Sequence, residues 1–97
     1  MRVSLAPGAE RDLVEGGLYY AREANEQLAH AFISEFERST ALLAAQPELG
    51  VPWRGKVRRF PLRRFPYSIV YYRHTDGIRI LAIAHQSRKP GFWNNRA

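Results

Sequence analysis

His85 stands where an alternating apolar run ends and is followed by Gln86-Ser87-Arg88-Lys89. An imidazole beside arginines can pass a proton while the guanidinium groups hold a phosphate. With Arg59 and Arg88 the set has the composition of a ribonuclease-like centre, in which His85 takes the proton of a 2′-hydroxyl and the arginines stabilise the pentacoordinate phosphorus. The structural alternative is a strand-end histidine that hydrogen-bonds backbone. A second set, Lys56, Arg58, Arg59, Arg63 and Arg64, has the density of a surface made to meet phosphate or an acidic protein segment. The bland reading is an edge strand kept soluble by charge. Phe92-Trp93 after Pro90 offers either a platform on which a base stacks or an apolar latch over a sheet.

Charge divides this 97-residue chain. Residues 1–53 carry four basic and eight acidic side chains, and residues 54–97 carry eleven basic and one acidic, Asp76, for a net charge of +6. The basic half therefore has few internal partners for its cations, which points to an anionic partner or a protein that handles DNA. The hydrophobic fraction of 45% suffices for one modest core, and the length for one domain, residues 1–97. Without cysteine there is neither a disulfide framework nor a thiolate metal site. The start of the chain lacks the apolar core of a signal peptide, so a cytoplasmic protein without membrane attachment is expected. Phosphate-loop, nucleophile-elbow, zinc and paired-carboxylate motifs are absent from the sequence, and no cofactor is expected.

The elements that must position these residues follow from periodicity. Val3 and Leu5 alternate with polar neighbours as a short strand with one buried face, and Pro7-Gly8 ends it. From Ala9 the period becomes helical, with Leu13, Gly17, Tyr20 and Ala24 along one face. Gly16-Gly17 inside that helix predicts a close crossing with a second helix. That helix, capped by Asn25 and striped by Leu28, Phe32, Phe36 and Leu43, runs to Pro47. Pro47 to Gly55, with two prolines and two glycines, reads as a loop. Three strands follow: Lys56 to Leu62, Tyr67 to Arg73 and Ile78 to His85, the last two joined through Asp76-Gly77 as a hairpin. The central strand is apolar on both alternating sets, so both its faces are expected to be covered, one of them by the helical hairpin. The fold class is α+β, in the order β-α-α-β-β-β.

On this order the residues resemble a family. The opening strand with Pro7-Gly8-Ala9-Glu10-Arg11-Asp12-Leu13, Leu18-Tyr19-Tyr20 and Pro47-Glu48-Leu49-Gly50 are similar to the RelE/ParE superfamily of bacterial toxins. So are Val57-Arg58-Arg59-Phe60-Pro61-Leu62, Phe65-Pro66-Tyr67-Ser68-Ile69-Val70-Tyr71-Tyr72 and Ala84-His85-Gln86-Ser87-Arg88-Lys89-Pro90-Gly91-Phe92-Trp93. The later segments look closest to the ParE, or plasmid-stabilisation, branch. The resemblance implies the toxin of a type II toxin–antitoxin module, held by a ParD-like antitoxin in a hetero-oligomer and stopping growth by interference with DNA gyrase. The alternatives are a ribosome-dependent mRNA endonuclease of RelE type and a non-toxic basic binding module. RelE-like nucleases tend to place an arginine in the central strand, where this chain has Tyr67-Ser68, and basic residues where it has Gln86-Ser87. Partner or target contacts are expected at Arg58, Arg59, Arg63, Arg64, Tyr67, Tyr71, Arg88 and Trp93. Two antitoxin surfaces are expected, a groove beside the helical hairpin and the basic sheet.

Overall fold

The computed structural model describes residues 2–87. Along the chain run β1 (Arg2–Leu5), α1 (Pro7–Glu23), α2 (Glu26–Ala45), β2 (Val51–Arg54), β3 (Val57–Pro61), β4 (Tyr67–His74) and β5 (Gly77–His85). The α+β order read from periodicity holds, with one addition. The Pro47–Gly55 segment expected to be a loop contains β2, which pairs antiparallel with β3. Pro52 is compatible with a strand there because β2 lies at the sheet edge, where a missing amide donor breaks no ladder.

Both helices begin on identifiable signals. Pro7 occupies the first turn of α1, where an amide would have no intrahelical partner, and Glu10 sits at the positive end of the helix dipole. The Asn25 side chain accepts the Leu28 amide at 2.8 Å and caps α2. The two helices cross at Gly16, whose bare Cα admits the Phe32 ring; a Cβ there would stand 2.7 Å from two ring carbons. Gly17 faces Ile33 at an ordinary 3.6 Å. The close crossing thus belongs to the first glycine of the pair.

The sheet has the order β1-β5-β4-β3-β2, with a continuous antiparallel meander from β2 to β5. β1 runs parallel to β5, Arg2 opposite Gly77 and Leu5 opposite Ile80. A Cβ on Gly77 would collide with the Arg2 carbonyl. The Asp76-Gly77 signal therefore marks the hairpin correctly, although the turn residues are Thr75 and Asp76 and the glycine serves the approach of β1. β1 buries less than alternation suggested: Val3 is exposed and Leu5 half-buried.

One sheet face packs on the helical hairpin through Phe32, Phe36, Leu43, Ile69, Tyr71, Ile78, Ile80 and Ile83. On the outer face Val70, Leu81, Ala82 and Ala84 are buried beneath Trp53, Val57 and Tyr72. The register jumps between Val70↔Ala82 and Tyr71↔Ile80, so Leu81 is an inserted residue. That bulge turns two consecutive residues, Leu81 and Ala82, to the outer side. Both faces of β4 are covered, as its two apolar sets required. Among the described residues no helix is long and apolar enough to cross a membrane.

Candidate functional site

His85 closes β5 opposite Tyr67, on the helix side of the sheet, with its ring edge-on to the tyrosine at 5.1 Å between centroids. Its Nδ1 accepts the Ser87 amide at 3.1 Å and lies 2.8 Å from the Ser87 hydroxyl. An accepting Nδ1 places the proton of the neutral ring on Nε2. These contacts engage the ring in the strand-end turn.

The ring borders a cleft of about 460 Å³ between α1 and the sheet end, lined by Asp12, Glu15, Tyr19, Arg22, Tyr67 and Ile83 among others. Along the chain His85 has no acidic neighbours; the fold supplies Asp12 and Glu15 from α1. Their three-residue spacing, which places both on one side of a helix, was the available signal. Asp12 is 9% exposed, and its Oδ2 accepts the Ile83 amide at 3.1 Å. That amide lies just beyond the point where β1 leaves β5, after the Ala6 amide reaches the Ile80 carbonyl. Asp12 thus continues the covered edge of β5. Burial pushes the Tyr67 hydroxyl pKa up, aided by Tyr19 and Asp12 nearby, so that hydroxyl remains a neutral donor.

The basic set is not one patch. Arg59 pairs with Val70 and faces the outer side, its guanidinium 4.9 Å from the centre of the Trp53 ring. Arg59 and His85 therefore stand on opposite faces of the sheet, and the nuclease arrangement is not assembled by these two. Arg88 and Trp93 lie outside the described residues. Arg58, opposite Tyr71, turns to the helix side and donates to the carbonyls of Glu48 at 3.1 Å and Gly50 at 2.8 Å. It clamps the segment entering β2.

Tyr71, expected at a contact surface, is 0% exposed. Its hydroxyl donates to the Pro47 carbonyl at 2.7 Å and accepts the Gly50 amide at 2.9 Å. It is a core residue that anchors the same segment as Arg58, and burial raises its pKa. Arg63 and Arg64 are exposed in the β3–β4 connection. The Arg63 amide reaches Glu35 at 2.8 Å, and the Arg64 guanidinium approaches Phe65 at 5.7 Å. Arg73 pairs with Glu48 at 3.2 Å. Lys56 joins Arg59 on the outer face, its Nζ 4.3 Å from the centre of the Tyr72 ring.

A separate apolar groove of about 320 Å³ follows the helical hairpin between Leu13, Val14, Gly17, Leu18 and Ala21 of α1 and Ala29 and Ile33 of α2. Val14 is 59% and Leu18 53% exposed, which is unusual for side chains of this size on a small domain. Among the described residues no cluster of histidine and carboxylate side chains has the makings of a metal site.

Comparison with known proteins follows the same lines. Residues 3–90 match the family described as the ParE toxin of type II toxin–antitoxin system, parDE. Toxin ParE2 of Mycobacterium tuberculosis is 29% identical over 89 residues, covering 92% of this chain and 85% of that protein, in each of two strains. Among solved structures, a chain of the chromosomal ParDE TA system from P. aeruginosa superposes with a TM-score of 0.77 at 23% identity, over 88% of this chain and 95% of that one. At that identity the last likeness is one of fold.

Proposed function

Because this chain belongs to the ParE toxin family of type II toxin–antitoxin systems, we propose that it stops bacterial growth by binding DNA gyrase, without performing a chemical step of its own. It is the toxin component of such a module, and its partner there is an antitoxin. The observation that carries the choice of binding over catalysis is the placement of Arg59 and His85 on opposite sheet faces, together with the engagement of His85 Nδ1 by the Ser87 amide. An RNA strand cannot meet a base on one face and a phosphate-binding arginine on the other at a single scissile bond.

In this reading the antitoxin is ParD-like, works in the cytoplasm, and lays an amphipathic helix into the hairpin groove at Val14 and Leu18. The test is supercoiling of relaxed plasmid by purified gyrase with rising amounts of this protein. Lost supercoiling with accumulating linear DNA is the expected result, and His85→Ala should leave it intact. Full gyrase activity at saturating toxin would overturn the proposal.

A further inference from the structure

We infer that the outer face of the sheet is a docking surface for the phosphodiester backbone of nucleic acid, held by Lys56 and Arg59. This goes beyond the gyrase reading and does not require it. Both cations lie over aromatic rings of that face, Lys56 over Tyr72 at 4.3 Å and Arg59 over Trp53 at 4.9 Å. Such pairing orders a long cationic side chain before a ligand arrives, which lowers the entropy lost on binding. A guanidinium held against a ring still has N–H donors free to meet phosphate oxygens. The strands β2 to β5 carry no carboxylate, Asp76 standing in the β4–β5 turn and Glu48, before β2, pairing with Arg73.

Two features favour a nucleic-acid backbone over an acidic peptide. Peptide partners draw affinity from apolar anchors set in pockets. The apolar residues of this face, Val70, Leu81, Ala82 and Ala84, are buried, and Val51 at the rim is its one large exposed apolar side chain among the described residues. The exposed apolar side chains of the helical hairpin, Val14, Leu18 and Tyr19, belong to the other side of the molecule. The rings also carry cations on their faces, so they do not offer themselves for base stacking. Binding is then sequence-independent and no stronger for a single strand than for a duplex.

The experiment is fluorescence anisotropy of a labelled 20-base-pair duplex with the purified full chain at several salt concentrations, without gyrase. Each lost phosphate contact should reduce the steepness of log K against log salt by about 0.9. Lys56→Ala and Arg59→Ala should each do so, and together reduce it by about 1.8. Arg73→Ala, on the helix side and paired with Glu48, should leave it unchanged. The charge-conserving pair Lys56→Arg with Arg59→Lys should keep the slope, and circular dichroism checks that every variant is folded. An unchanged slope in the double variant overturns the inference. So does a tenfold preference for single strands, which would mean base stacking, or equal competition by polyglutamate of matched charge, which would mean an acidic-peptide surface. Gyrase inhibition without DNA binding would remove this inference alone, whereas DNA binding without gyrase inhibition would remove the gyrase reading alone.

Discussion

The Glu35 carboxylate takes four hydrogen bonds, two from the Arg38 guanidinium and one each from the Ser39 hydroxyl and the Arg63 amide. The last of these ties the β3–β4 connection to α2. The Arg38 bonds are the main cause of a pKa lowered to about 2, with the Arg63 amide adding to them and burial opposing. A folded-state pKa below the unfolded value favours the native state above the unfolded pKa of 4.5, and that contribution fades as pH falls toward 2. Glu35→Gln should therefore lower stability at pH 7 by about 1–3 kcal/mol. In urea unfolding the gap from wild type should narrow steadily between pH 4.5 and 2. A gap that does not change with pH would assign the effect to packing. At this scale the sequence revealed less than the fold did. His85 was legible as a strand-end residue and its Ser87 partner lies only two residues on, whereas the approach of the α1 carboxylates depends on packing between segments far apart in the chain. The separation of Arg58 from Arg59 was legible in principle, because adjacent strand residues point to opposite faces.

At the level of elements, α1, α2, β3, β4 and β5 followed from period and caps, because each carries apolar residues at helical or alternating spacing. β2 did not, because two prolines and two glycines mask four residues whose strand state comes from pairing with β3 and not from their own preference. The two adjacent glycines of α1 give a sharper test of element packing than either alone. Gly16→Ala would drive a Cβ into the Phe32 ring at 2.7 Å and should cost about 1–3 kcal/mol. Gly17→Ala meets Ile33 at 3.6 Å and should be neutral or stabilising by up to about 1 kcal/mol through helix propensity. Thermal or urea denaturation of the two variants checks this. Equal destabilisation would mean that the crossing is set elsewhere along the hairpin.

Across the whole molecule, an apolar groove bordered by Glu26 and His30 lies on the hairpin side, and cations on aromatic rings lie on the opposite sheet face. Two surfaces so different in chemistry can engage two partners independently. Leu18→Glu should weaken antitoxin binding at least tenfold by calorimetry while leaving gyrase inhibition in the supercoiling assay unchanged. Loss of both would mean that one surface serves both partners. The charge split foreshadowed this division, and strand alternation separates Arg59 from Arg58, but which of the two faces outward is decided only by where the helical hairpin packs. The parallel pairing of β1 with β5 also bears on how the protein comes into being. The partners are about 75 residues apart in the chain, so at roughly 5–20 residues per second β1 waits about 4–15 s for its neighbour to be made. The β1–β5 pairing therefore cannot form until β5 has been made, and the nascent chain carries the β1 edge unpaired for that interval.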